Sequence, residues 1–249
     1  MDKKIVFFVL VLFASGSVQS GWQDTLQDGL GDVLGGGDSS SAVSALSQTE
    51  MAGGLKEALA QGVESAINSL GKTDGFLAND LVKIPLPEKV EKVADLARKF
   101  GGEKYVDEFV TTMNRAAESA VPEAAAIFSD SIRDMSIEDA KKILSGADDS
   151  ATQYFRETDG AKLVEKFKPM VKQSTDAAGV TTAYKQMVGQ AGPMVSMLGG
   201  DDMTDVDGYV TNKAVDGLFK MIAAEEKRIR ANPLASGSEL MKKVFSSFQ

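Results

Sequence analysis

Neither cysteine nor histidine occurs among the 249 residues, and these two absences exclude more chemistry than any motif present would specify. Without Cys there is no disulfide and no thiolate nucleophile; without His there is no imidazole base and no nitrogen ligand for zinc or haem. Ser-His-Asp and Cys-His catalysis within the chain fall with them. Carboxylates, Lys, Tyr and Ser are left to carry any catalytic step. The chain also has a single Trp and six Pro, and its long apolar run, residues 5–14, is too short to cross a bilayer.

That run follows Lys3 and Lys4 and precedes small and polar residues through Ser20, the pattern of a secretory signal peptide over 1–20. Cleavage is expected after Ser20, with Val18 and Ser20 as the residues the peptidase reads, or after Ser17. No Cys follows, so lipoprotein processing is excluded and the product is expected to be periplasmic or secreted. Losing Asp2, Lys3 and Lys4 moves the formal charge from −9 to −10. An acidic chain with dispersed Lys and Arg disfavours nucleic acid as a partner, because phosphate binding rests on clustered cations. Stability must come from an apolar core, which a chain of this length can build as one domain. No metal site and no cofactor are expected, and no membrane span remains after processing.

Residues 29–54 are rich in Gly and Ser, so 21–45 reads as a flexible arm. A phosphate-cradling loop is a poor alternative: no Gly-Lys-Ser/Thr follows, and Gly29-Leu30-Gly31 lacks a third glycine. Beyond the arm, 46–249 reads as one helical domain. Ser47 with Glu50 signals a helix start, and Met51, Leu55, Ala58, Leu59, Ala66, Ile67 and Leu70 recur at helical spacing. Two prolines make 81–87 an extended crossing. Val90, Val93, Ala97 and Phe100 line a second helix, and Val106, Phe109, Met113, Ala117 and Ala120 a third. Pro122 suits the first turn of the next. Ser136 with Asp139 caps a short helix, and Asp148 is placed to cap another holding Ala151 and Phe155. Separate helices are expected over 163–175, kinked at Pro169, and over 181–191. After a break at 199–208 a long helix runs to Ala231, and Ser238 opens a last one in which Leu240, Val244 and Phe245 pack. The fold class is therefore all-α, a compact irregular multi-helix bundle.

Several short runs together carry a family resemblance: Gly54-Leu55-Lys56-Glu57-Ala58-Leu59, Val82-Lys83-Ile84-Pro85-Leu86-Pro87, Met113-Asn114-Arg115-Ala116-Ala117-Glu118, Asp139-Ala140-Lys141-Lys142-Ile143-Leu144-Ser145-Gly146, Ala151-Thr152-Gln153-Tyr154-Phe155-Arg156 and Asp207-Gly208-Tyr209-Val210-Thr211. From Leu46 onward the chain resembles a bacterial family of exported proteins catalogued as domain of unknown function four-one-nine-seven. The resemblance implies a helical exported domain. It carries no activity, ligand or partner onto any position.

The candidate site residues are polar groups falling on apolar faces. Asn114 and Glu118 are i,i+4 neighbours on the shoulder of the third helix's stripe, with Arg115 on its far side. A polar cluster is expected there, completed by Tyr154 and Arg156. On the long helix before Ala231, Glu225 and Glu226 fall inside the arc of Val215, Leu218, Phe219, Ile222 and Ile229. A buried carboxylate needs a cation, so Glu226 is expected to pair with Arg115 or Arg156. Asp205, Asp207 and Gly208 do not form a calcium loop: with Gly208 sixth, the first and twelfth ligands would be Met203 and Ala214. Asp74-Gly75-Phe76 and Asp207-Gly208-Tyr209 echo one another as turn-plus-cap signatures. Two functions fit: a non-catalytic exported domain that binds an envelope protein or an apolar ligand, or a carboxylate-dependent hydrolase acting on envelope polymers through the inward acids.

Overall fold

The computed structural model describes residues 47–192, 205–232 and 239–246. Signal peptide 1–20, arm 21–45, the cap at Ser238 and the packing of Phe245 lie outside the described residues. Among those described the chain is all-α, without a strand: α1 (Gln48–Leu70), α2 (Glu88–Lys99), α3 (Glu103–Ala120), α4 (Ala124–Asp134), α5 (Ile137–Leu144), α6 (Ser150–Ala178), α7 (Val180–Ala191), α8 (Val206–Ala231) and α9 (Glu239–Ser246). None of these helices is long and apolar enough to cross a membrane.

Local chemistry sets the starts as the spacing predicts. Ser47 accepts from the Glu50 N–H while Glu50 reaches back to the Ser47 N–H, and Ser136 and Asp139 repeat the arrangement before α5. Pro122 sits in a single 3-10 turn, Val121–Glu123, that leads into α4. Asp205 caps α8 through the Gly208 N–H at 2.8 Å, a turn before a helix and not a calcium loop. The echo between the two Asp-Gly runs is not structural, since 74–78 form a turn whereas Asp207 and Gly208 already belong to α8.

The expectation of two helices, one holding Ala151 and Phe155 and another over 163–175, is corrected: α6 is one helix of 29 residues, and Pro169, exposed, falls inside it without ending it. Its buried positions Ala151, Phe155, Asp159, Leu163, Phe167, Val171 and Thr175 recur every four residues. Each such step overshoots a full turn by about 40°, so the buried face winds around the helix and has no single amphipathic side. α3, α4 and α8 meet that winding face. Gly179 ends α6 at φ 74°, a left-handed conformation that costs glycine nothing, and α7 begins at once.

α1 lies across α4, α5 and α8 on one side of the bundle, while α7 packs on α2 and α3. Phe76, Phe109, Phe128, Phe155, Phe167 and Phe219 are all fully buried. Phe128 sets its edge against Phe155 and Phe219, at centroid separations of 5.3 and 6.1 Å. α9 is held by close approach to α1: a Cβ at Gly54 would lie 2.6 Å from Val244 Cγ2. Gly54→Leu should therefore push α9 off. An eight-residue helix does not persist alone in water, so amide exchange over 239–246 is expected to become unprotected while α3 keeps its protection. Slow exchange in α9 of the variant would contradict the packing.

Candidate functional site

The seven residues expected to share one polar cluster are divided among separate places, because most of them are engaged in holding backbone. Asn114, fully buried on α3, accepts the Ile84 N–H at 2.8 Å through Oδ1. Its Nδ2 donates to the carbonyls of Ile84 (2.9 Å) and Val110 (2.8 Å). One turn on, Glu118 Oε1 accepts the N–H groups of Phe76 (3.0 Å) and Leu77 (3.2 Å). Its other oxygen takes Arg115, which also reaches Asp74 at 2.6 Å. Hydrogen bonds to Glu118, then to Asp74, hold the Arg115 guanidinium above its already high value. The trio fastens the turn at 74–79 and the extended stretch 83–87 onto α3, satisfying backbone groups that no helix or sheet pairs.

Glu226 does for α6 what Asn114 does for the crossing. Asp149, at the N-cap of α6, makes no side-chain cap bond, so the cap expected from Asp148 does not come from the local sequence. It comes from Glu226, buried, whose two oxygens accept the Ala151 N–H (2.9 Å), the Thr152 N–H (3.0 Å) and the Thr152 hydroxyl (2.9 Å). A carboxylate at a helix N-terminus meets both the unpaired donors and the positive end of the dipole. Its cation is Arg230, 3.0 Å away and one turn along α8, rather than Arg115 or Arg156. That correction has a simple cause: Arg115 is taken by Glu118 and Asp74, while Arg156 bonds Asp216 at 3.3 Å and lies over the Phe219 ring at 4.6 Å. Glu225 is only partly buried and pairs with Arg228 at 2.8 Å.

Of the seven, Tyr154 opens onto a groove of about 430 Å³ between α4 and α6. Glu123, Asp130, Asp134 and Asp159 line it against two lysines, Lys162 and Lys166, with Ile127 and Met170 as its apolar floor. Burial, then the negative charges of Asp139, Asp159 and Asp134, push the Tyr154 phenol above its ordinary value. The residue that sequence reading missed is Asp159. It is 1% exposed and occupies a core position in the four-residue series between Phe155 and Leu163. A carboxylate in register with Phe155, Leu163 and Phe167 is the available signal, hidden when the row is divided between two helices.

Asp159 is poorly satisfied for so buried a charge. A carboxylate offers about four acceptor sites. The Thr158 hydroxyl is 3.0 Å from Oδ2 but also 2.9 Å from the Tyr154 carbonyl, and its one hydrogen cannot serve both. Oδ1 accepts no hydrogen bond, and the nearest cation, Lys162 Nζ on an exposed side chain, stands at 3.6 Å. Among the described residues no enclosed side-chain nitrogen or oxygen lacks a partner, so Oδ1 is the atom that the groove reaches. No group of three or more acids among them is close enough to hold a metal ion.

Another opening, between α1 and α8, is apolar but holds only about 20 Å³, between Leu55, Leu59, Val63, Ile222 and Ile229, with Glu226 and Arg230 also lining it. That is room for a single water.

A family model described as "Protein of unknown function (DUF4197)" matches residues 45–246. No curated protein matches the chain, and no solved structure does. The matched stretch contains every helix from α1 to α9, the Asn114 and Glu226 contacts and the α4–α6 groove, and the chain belongs to the DUF4197 family.

Proposed function

We propose that this is an exported, non-catalytic binding protein that seats a partner polypeptide in the groove between α4 and α6. The observation that carries the reading is the division of labour among its inward polar groups. Asn114 is committed to backbone groups, and Glu118 and Glu226 to backbone N–H groups and arginines, whereas the groove gathers an aromatic ring, apolar side chains and a carboxylate held only by Thr158 and Lys162 at an open surface. Grooves of that composition are where binding energy is available.

The α1–α8 opening, at about 20 Å³, has too little room for an apolar small ligand. A hydrolase built on Glu225 and Glu226 would need an acid free to exchange a proton in a cleft. Glu226 is held by two amides, a hydroxyl and a guanidinium, and Glu225 by Arg228.

The test is native mass spectrometry of the mature protein isolated from its own cells, beside Ser131→Trp, which fills the groove from a half-buried position on α4. A polypeptide retained at stoichiometric ratio by the wild type and lost from the variant, with unchanged circular dichroism, is the expected result. Equal retention by both proteins, or turnover of an envelope polymer, would reject the groove as a partner site.

A further inference from the structure

We infer that the occupant of the α4–α6 groove is a basic segment, and that an arginine or lysine side chain of that segment pairs with Asp159. The inference rests on the reading of the groove as a partner site and adds the chemistry of the partner.

Charge complementarity is the first argument. The groove wall carries four carboxylates against two lysines, and Arg133 is already shared between Asp130 and Asp134 at the rim. The second is the state of Asp159. A carboxylate held at 1% exposure among Phe155 and Leu163 is unfavourable unless a cation and hydrogen-bond donors meet it. Its present donors are a hydroxyl with two competing acceptors and an ammonium beyond hydrogen-bonding distance. Lys162, 69% exposed in its side chain, is a loose placeholder in the position an incoming cation would take. Tyr154, on the same wall, supplies an aromatic ring with which a guanidinium or ammonium can gain cation–π attraction. A neutral segment would bring no countercharge to Oδ1, and an acidic one would add like charge to the wall.

The competing explanation is that Asp159 is a structural residue contributing to the stability of α6. The two explanations differ in sign. A structural Asp159 lowers the melting temperature when changed to Asn; one kept for binding leaves it unchanged or raises it, because a buried charge with few donors has been removed.

The experiment is a titration of the 15N-labelled mature chain with acetyl-tetraarginine amide, with acetyl-tetraglutamine amide as the neutral arm, at two salt concentrations. Shifts confined to α4 and to 150–170 of α6, with arginine favoured over glutamine and weakened by salt, are expected. Asp159→Asn should lose at least about tenfold in affinity without a fall in melting temperature. Lys162→Ala, an exposed change that does not disturb the core, should bind about two- to fivefold more tightly by removing the placeholder. Shifts scattered over the acidic surface, an unaltered Lys162→Ala affinity, or a destabilised Asp159→Asn would each overturn the proposal. Equal binding of the glutamine peptide in the groove would overturn the basic partner while leaving the groove as a binding site.

Discussion

Glu226→Ala is expected to lower the stability of the domain by about 4 kcal/mol, the scale of removing one member of a buried, hydrogen-bonded ion pair. In a domain of this size that is a fall of about 8–16 °C in melting temperature. The effect is large because the carboxylate performs two jobs. It caps α6 by accepting the Ala151 and Thr152 N–H groups and the Thr152 hydroxyl, and it neutralises Arg230, itself bound to the Ile143 carbonyl at 2.8 Å. A buried amide left without an acceptor costs about 1–3 kcal/mol, and two are orphaned at once. The jobs separate in the double variant Glu226→Leu with Arg230→Met. Replacing the pair with apolar groups restores what the stranded guanidinium cost, but the two amides stay uncapped, so recovery should be partial. Urea denaturation of the single and double variants measures both quantities. A single-variant loss below about 1 kcal/mol, within the range of an exposed ion pair, would mean that the capping contacts contribute little to stability.

How far the sequence revealed this architecture differs from element to element. The starts of α1 and α5 were legible because Ser47–Glu50 and Ser136–Asp139 are local signals three residues apart, satisfied within their own turn. The start of α6 was not, since its cap lies 75 residues away on α8 and only tertiary packing brings it there. That Glu226 turns inward followed from the apolar arc of α8, which held Glu225 as well, although Glu225 is only half-buried. The partner of Glu226 did not follow, because the choice among cations depends on which arginines other carboxylates have already engaged.

The same distinction explains the groove. A helix whose buried positions step by four presents no constant face, so summing over its length averages the pattern away and α6 reads as fragments. Once α6 is continuous, Asp159 falls in register with Phe155 and Leu163 and stands out as the anomaly. The expected polar cluster failed for a related reason: Tyr154 and Arg156 are two residues apart on a helix, about 200° around it, and point to different neighbours. One faces α4 across the groove, the other reaches Asp216 on α8.

Asn114→Asp should be the other severe substitution, and its cost should depend on pH in a way that identifies the cause. Nδ2 of Asn114 donates to two carbonyls at 2.9 and 2.8 Å; an aspartate oxygen in that place faces both carbonyls as a second acceptor, fully buried and without a cation. Only the protonated acid fits, and then it donates to one carbonyl alone. The folded-state pKa of the new carboxyl is thus raised above its unfolded value of about 3.9. An acid shifted in that direction contributes its penalty above the unfolded pKa and loses it below. Near pH 7 the loss should reach about 3–5 kcal/mol, comparable with other uncompensated buried charges, and it should shrink as the pH falls toward 4. Asn114→Leu leaves the Ile84 N–H and carbonyl unpaired at a cost of about 2–4 kcal/mol, with no titrating group and hence no such dependence. In both variants the 83–87 stretch loses its attachment to α3, so the Ile84 amide should exchange ahead of the α3 core. Parallel pH profiles for the two variants would show that shape rather than hydrogen-bond polarity holds the crossing in place.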